Sequence, residues 1–171
     1  DIQRLKDAKI YQNFNSITFL KLSSLVYNLK DYREVLKEKL LLPSKTSKLI
    51  EDIVQGTNYL LKISKNSYSN FELNLFWYKY KSVSDYCFLL AFSIDKSVEN
   101  FILNLINYYE KNYKDKIVEK PLLTGEEIMK ILNLNPSKEV GVIKDKLIYA
   151  QIAGKVKTRE EAIEFINSFK K

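Results

Sequence analysis

The chain is predicted to be all-α, a compact array of about eight or nine helices with no sheet. Three observations lead there. Apolar residues recur at three- and four-residue spacing along nearly the whole length. Ser or Thr stands three residues ahead of Glu or Asp at Ser69/Glu72, Ser82/Asp85, Thr124/Glu127 and Thr158/Glu161. That is the capping-box pattern, in which the hydroxyl accepts from the N3 amide and the carboxylate reaches back to the cap amide. Few residues break helices: the chain has 4 Gly and 3 Pro, and Gly125, Gly141 and Gly154 fall in its last fifty or so residues.

The elements follow in order. Residues 2–11 read as a short opening helix. Residues 16–29 carry Ile17, Leu20, Leu22, Leu25, Val26 and Leu29 and read as a core helix. Residues 31–40 form a more polar one. Pro43 forbids its continuation. The next helix spans 45–63, with Ser44, Thr46 or Ser47 as its cap. Residues 64–69 are a polar loop. Ser69 starts an aromatic helix to about Lys79, Ser82 starts another to about Phe92, and Ser97 caps a long one to about Lys114. Lys114 to Lys120 is a charged linker, extended at its end because Pro121 follows. This linker separates an expected helical body, 1–118, from a helical tail, 119–171. In the tail, one helix opens at Thr124, a second follows Pro136 and ends at Gly154, and a third opens at Thr158.

Composition excludes several function classes. There is no His and a single Cys, Cys87. The commonest general base and metal ligand are therefore missing, and neither an internal disulfide nor a cysteine zinc site can form. Cys87 sits in an apolar run and reads as a small buried hydrophobe. Four scattered glycines make no phosphate loop, and no Asp-x-Asp pair serves two-metal chemistry. The chain itself is expected to be non-catalytic, with no metal and no cofactor of its own. The longest apolar run, 86–94, is about half a membrane span. The chain opens on Asp1-Ile2-Gln3-Arg4, without an initiator Met or a signal peptide, which predicts a piece of a longer protein.

The net charge is +7, and the pI is about 9.2. A basic domain is a candidate for nucleic acid. Lysine, however, far outnumbers arginine, and Asn, Ile and Tyr abound, as AT-rich coding would give any protein. Charge alone therefore leaves two classes open: an RNA-binding domain, and a helical protein-interaction or scaffold domain with incidental lysine charge.

Three segments could carry binding chemistry. Aromatics crowd residues 68–92, where helical spacing assigns most to the core and leaves Tyr78 and Tyr80, flanked by lysines, as the exposed pair. Lys45 and Lys48 flank a helix start, where free amides attract anions. Gly141 falls in the first turn of a helix, where glycine costs about 1 kcal/mol relative to alanine. Either a packed helix or a ligand backbone must offset that cost. Lys138 and Lys144 lie beside it, and Lys155, Lys157 and Arg159 line the following turn.

Two resemblances add to this. The run from Phe19 to Leu29 resembles the helix of HD-type helical domains, with Tyr27-Asn28 where those carry the metal-binding His-Asp; the resemblance implies a dead metal site. More specifically, Pro121-Leu122-Leu123-Thr124-Gly125-Glu126-Glu127-Ile128-Met129, Gly141, Ala150-Gln151, Gly154 and Thr158-Arg159-Glu160-Glu161-Ala162 are similar to the C-terminal motif of bacterial tRNA nucleotidyltransferases and poly(A) polymerases. Residues 40–61 and 77–92 are similar to the preceding helical region of that family more loosely. One departure stands out: the family often has Pro-Gly-Pro before the helix glycine, and here the residues are Pro136-Ser137-Lys138. The resemblance implies a cytoplasmic, all-helical, RNA-binding body and tail. Its partners would be tRNA or similar structured RNA and an N-terminal catalytic head that uses magnesium with ATP or CTP. No membrane is implied. The implied RNA contacts are Lys138, Gly141, Lys144, Lys155, Lys157 and Arg159, with Lys45 and Lys48 next.

Overall fold

Helices dominate the computed structural model, which describes residues 17–169, and no strand occurs among the described residues. The opening helix expected over 2–11 lies outside them. The described residues divide into two compact units, one of 17–68 with 79–107 and the other of 69–78 with 108–169.

The first unit begins with α1 (Ile17–Val26). Its helical spacing is as expected, but its burial is not. Ser23 and Val26 are buried, while Ile17 is 61% and Leu25 73% exposed. Periodicity located the helix and overstated its role in the core. The Tyr27-Asn28 pair falls in the turn after α1, and the Tyr27 phenol donates to Asn58 Oδ1 at 2.7 Å.

The next helix, α2 (Tyr32–Glu34), widens into a π-type turn over Val35–Lys39 that buries Leu36. Leu41 then takes a left-handed φ of 48° ahead of Pro43. The long helix α3 (Ser44–Ser64) follows with no side-chain cap. Ser47, a candidate cap, is instead buried and donates its hydroxyl to the Leu42 carbonyl at 3.3 Å.

Three further helices are α4 (Asn70–Tyr80), α5 (Ser84–Ile94) and α6 (Glu99–Tyr108). Within the first unit, α3 packs on α5 through Gly56. A Cβ there would stand 2.6 Å from Cys87 Sγ and 3.0 Å from Tyr80 Cγ. Cys87 is fully buried, and burial pushes its thiol pKa up. Tyr80, expected to be exposed, is buried because it fills the space beside this glycine. Ser97 does not cap α6's approach. Asp95 does so, accepting from the Ser97 amide at 3.0 Å. Ser82 likewise caps nothing, since α5 starts at Ser84 without a side-chain cap.

The second unit contains α7 (Gly125–Leu132), α8 (Lys138–Ile152) and α9 (Arg159–Asn167). They enclose one apolar cluster built on Leu123, Ile128, Ile143, Leu147, Ala162 and Ile166. Thr124 and Glu127 form the full capping box, with bonds of 3.2 and 2.7 Å. At Thr158 the hydroxyl accepts from the Glu161 amide, but the carboxylate takes the Lys157 amide rather than the cap amide. Gly154, at φ 71°, closes α8. Its amide bonds the Gln151 carbonyl and the Lys155 amide bonds that of Ala150, each at 2.9 Å, which is the Schellman arrangement.

The segment before α7 is held by one buried side chain. Gln151 Nε2 donates to the carbonyls of Val118 at 3.0 Å and Lys120 at 2.9 Å, and Gln151 Oε1 accepts from the Leu122 amide at 3.2 Å. Without Gln151 these groups would be left short of partners, which costs more than the bonds gain.

Candidate nucleic-acid interface

α8 decides the geometry of the second unit. Val140, Ile143, Leu147 and Ala150 point into the apolar cluster, which turns Gly141, Val142, Asp145, Lys146 and Tyr149 outward. Gly141 lies in the first turn after the Ser137 cap position, as expected. A Cβ built there meets nothing within 4 Å. Close packing within the described residues therefore does not account for this glycine.

The lysines and arginine named from the sequence differ in their engagement. Lys138 is exposed on the first turn of α8, and Lys144 is half-buried on the same helix. Lys155 and Lys157 are exposed in the turn between α8 and α9. Arg159 is committed inside the unit: its guanidinium pairs with Glu127 at 2.5 Å and donates to the Leu122 carbonyl at 3.1 Å. That guanidinium, with the Thr124 amide, holds the Glu127 carboxyl down at about 2. Arg159 thus fastens the start of α9 to the start of α7. In the first unit, Lys48 pairs with Asp52 at 2.7 Å one turn along α3, while Lys45 is exposed.

Beside Lys155 lies a groove of about 750 Å³ that the sequence alone did not reveal. Its walls come from α4, α8 and α9. Phe71 meets Tyr149 edge to face at 6.5 Å between ring centroids, and Phe165 meets Phe169 edge to face at 5.4 Å. The Lys146 ammonium stands 5.0 Å over the Phe169 ring. Asn74 fixes this arrangement. One turn after Phe71, its buried amide donates to the Ile152 carbonyl at 2.8 Å and accepts from the Tyr108 hydroxyl at 2.9 Å. The bond to Ile152 closes a carbonyl at the end of α8 and pins α4 beside Tyr149. Helical spacing assigns Phe71 to the core, and Lys146, Tyr149, Phe165 and Phe169 are not among the sequence-based candidates. The one available signal was Lys146 and Tyr149, which lie three residues apart and so share a helix face.

The chain is similar to a tRNA nucleotidyltransferase. Over 71 residues it is 39% identical to the CC-adding tRNA nucleotidyltransferase of Thermus thermophilus. The matched stretch is 42% of this chain and 16% of that enzyme, so the chain spans about a sixth of the curated relative it matches. No family model matches the chain, and no solved structure does. The comparison relates this chain to a nucleotidyltransferase over the matched residues. Among the described residues, no three Cys, Asp or Glu side chains cluster so as to hold a metal ion, and no helix is long and apolar enough to cross a membrane.

Proposed function

We propose that this chain is the RNA-binding helical part of a CCA-adding or poly(A)-adding nucleotidyltransferase. In this reading, residues 1–118 are the body and 119–171 the tail. Together they hold tRNA, or similar structured RNA, so that its 3′ end reaches a catalytic head elsewhere in the protein. The 39% identity with a CC-adding tRNA nucleotidyltransferase carries the proposal. Magnesium and the nucleotide substrate belong to the head, and no step through them is assigned to residues of this chain.

The contacts are to phosphate and sugar, because A-form grooves are read by shape. Lys138 and Lys144 flank Gly141, whose uncovered backbone lets a ribose-phosphate chain approach closely. Lys155 and Lys157 stand past the other end of α8, about 20 Å from Gly141 along the helix, and reach phosphates further along the RNA. Arg159 contributes chiefly by holding the turn that presents them, since its guanidinium is already paired with Glu127. Lys45 is a secondary contact.

The test is tRNA binding by the chain and by its Lys138→Ala/Lys144→Ala variant. The variant should fold normally and bind more weakly, and its log–log salt slope should fall by roughly one to two. Unchanged affinity and slope would place the RNA elsewhere. The chain alone, given tRNA, magnesium and labelled CTP or ATP, should incorporate nothing. Reproducible 3′ extension would refute the assignment of the chemistry to another part of the protein.

A further inference from the structure

The aromatic groove of the second unit shares Lys155 with the proposed clamp, but its rings have no part in a clamp made of lysines and backbone. Its chemistry is different. Four rings line it, and none is fully buried: Tyr149 is 42% exposed, and Phe71, Phe165 and Phe169 are half-buried. Ring faces that stay accessible to solvent can take a flat partner. The two charged side chains that line the groove are both lysines, Lys146 and Lys155. Small residues, Ala150 and Ala153, also line the groove, which leaves room for a ring system. The volume, about 750 Å³, is ample for a nucleobase with its sugar.

We infer that this groove receives an unpaired nucleotide of the bound RNA, with its base stacked on Tyr149 and edge-on to Phe71 and its flanking phosphates at Lys146 and Lys155. Two features favour this occupant over an apolar peptide. Both charges are positive and sit at the rim, where a polyanion meets them. The walls are aromatic rather than aliphatic, which suits a π-face that every base presents. The structure of the groove also explains why Asn74 is buried between α4 and α8: it sets the spacing between Phe71 and Tyr149.

The inference rests on the RNA-binding reading, yet it is tested separately. Two probes share one backbone: a single-stranded hexanucleotide of adenosine, and the same hexamer with abasic residues. Both are titrated against the chain, with fluorescence anisotropy as the readout. The adenosine hexamer should bind at least about fivefold more tightly. Tyr149→Ala and, separately, Phe71→Ala should lower its affinity toward that of the abasic probe and leave the abasic probe unchanged. Lys146→Ala/Lys155→Ala should weaken both probes and reduce the salt dependence of each. Tyr149 and the lysines are at the surface, so these variants should retain the fold, as unchanged circular dichroism would verify. Equal affinity for the two probes, no measurable binding of either, or indifference of the adenosine probe to Tyr149→Ala would overturn the inference. So would displacement of neither probe but capture of an amphipathic peptide at the groove. Loss of tRNA binding in Lys138→Ala/Lys144→Ala reports on the clamp alone, so the two readings can fail independently.

Discussion

Gly56 and Gly141 are both helical glycines, and their surroundings are opposite. Gly56, on α3 of the first unit, is wedged against Cys87 and Tyr80, with no room for a single added carbon. Gly141, on α8 of the second unit, faces open space. The intrinsic cost is the same for both, about 1 kcal/mol relative to alanine. At Gly56 that cost is offset by dispersion contacts between two helices that could not otherwise approach so closely. At Gly141 nothing in the described fold offsets it. One glycine serves folding, and the other is a candidate for serving something outside the fold.

The sharpest way to break this contrast is to fill both positions. Gly56→Ala should cost about 1–3 kcal/mol, because overpacking must shift a buried thiol or a buried ring. Urea denaturation would measure it, and a loss under about 0.5 kcal/mol would mean that α3 and α5 separate easily. Adding Cys87→Ala should recover part of the loss, since the 2.6 Å contact is with Sγ.

Gly141→Ala should do the reverse. Stability should rise by about 0.5–1 kcal/mol from helix propensity. In the proposed reading, tRNA affinity should fall at the same time, because a Cβ now stands where the RNA backbone approaches. A gain in stability with unchanged affinity would make the glycine incidental to binding.

A smaller effect comes from two first-turn carboxylates, one in each unit. Burial pushes the Asp85 carboxyl up from 3.8 to about 6, while Arg159 and the Thr124 cap draw Glu127 down from 4.5 to about 2. Their linkage signs are opposite. The contribution of Asp85 is complete below pH 3.8 and is lost as pH rises through about 6. The contribution of Glu127 is complete above pH 4.5 and is lost as pH falls through about 2. Asp85→Asn should therefore raise Tm at pH 8 and leave it unchanged at pH 3.5. Because the side chain is only half-buried, solvent screening should hold the gain to about 1–2 °C. Arg159→Ala should instead weaken the protein at pH 6 and flatten the acid limb below pH 4.5. Thermal melts across pH would show whether each variant flattens the limb assigned to it.

The second unit was the more legible of the two from sequence. The Thr124/Glu127 box, the Gly154 stop and the start of α8 after Pro136 all lie where sequence spacing puts them. Each depends on groups within about five residues of one another, which is the range sequence spacing can express. Even there, the sequence did not choose between neighbouring amides. Glu161 bonds Lys157 rather than Thr158. At Ser69 the amide donates to the Glu72 carboxylate, the half of the expected box that reaches back to the cap, and the hydroxyl donates to the same carboxylate. In the first unit, periodicity assigns α1 to the core, yet Ile17 and Leu25 are exposed. Flanking lysines mark Tyr80 as exposed, yet it is buried.

The sequence by itself determined that this chain is helical and where most of its helices start and stop. These follow from periodicity, capping and backbone stereochemistry, all of them short-range. Only the tertiary structure decided that Gly56 is a contact point and Gly141 an open one. It alone tied the 118–122 segment to Gln151 and gathered Phe71, Lys146, Tyr149, Lys155, Phe165 and Phe169 around one groove. Those residues stand up to about a hundred positions apart, and a helical pattern records which face is apolar without recording what that face will meet.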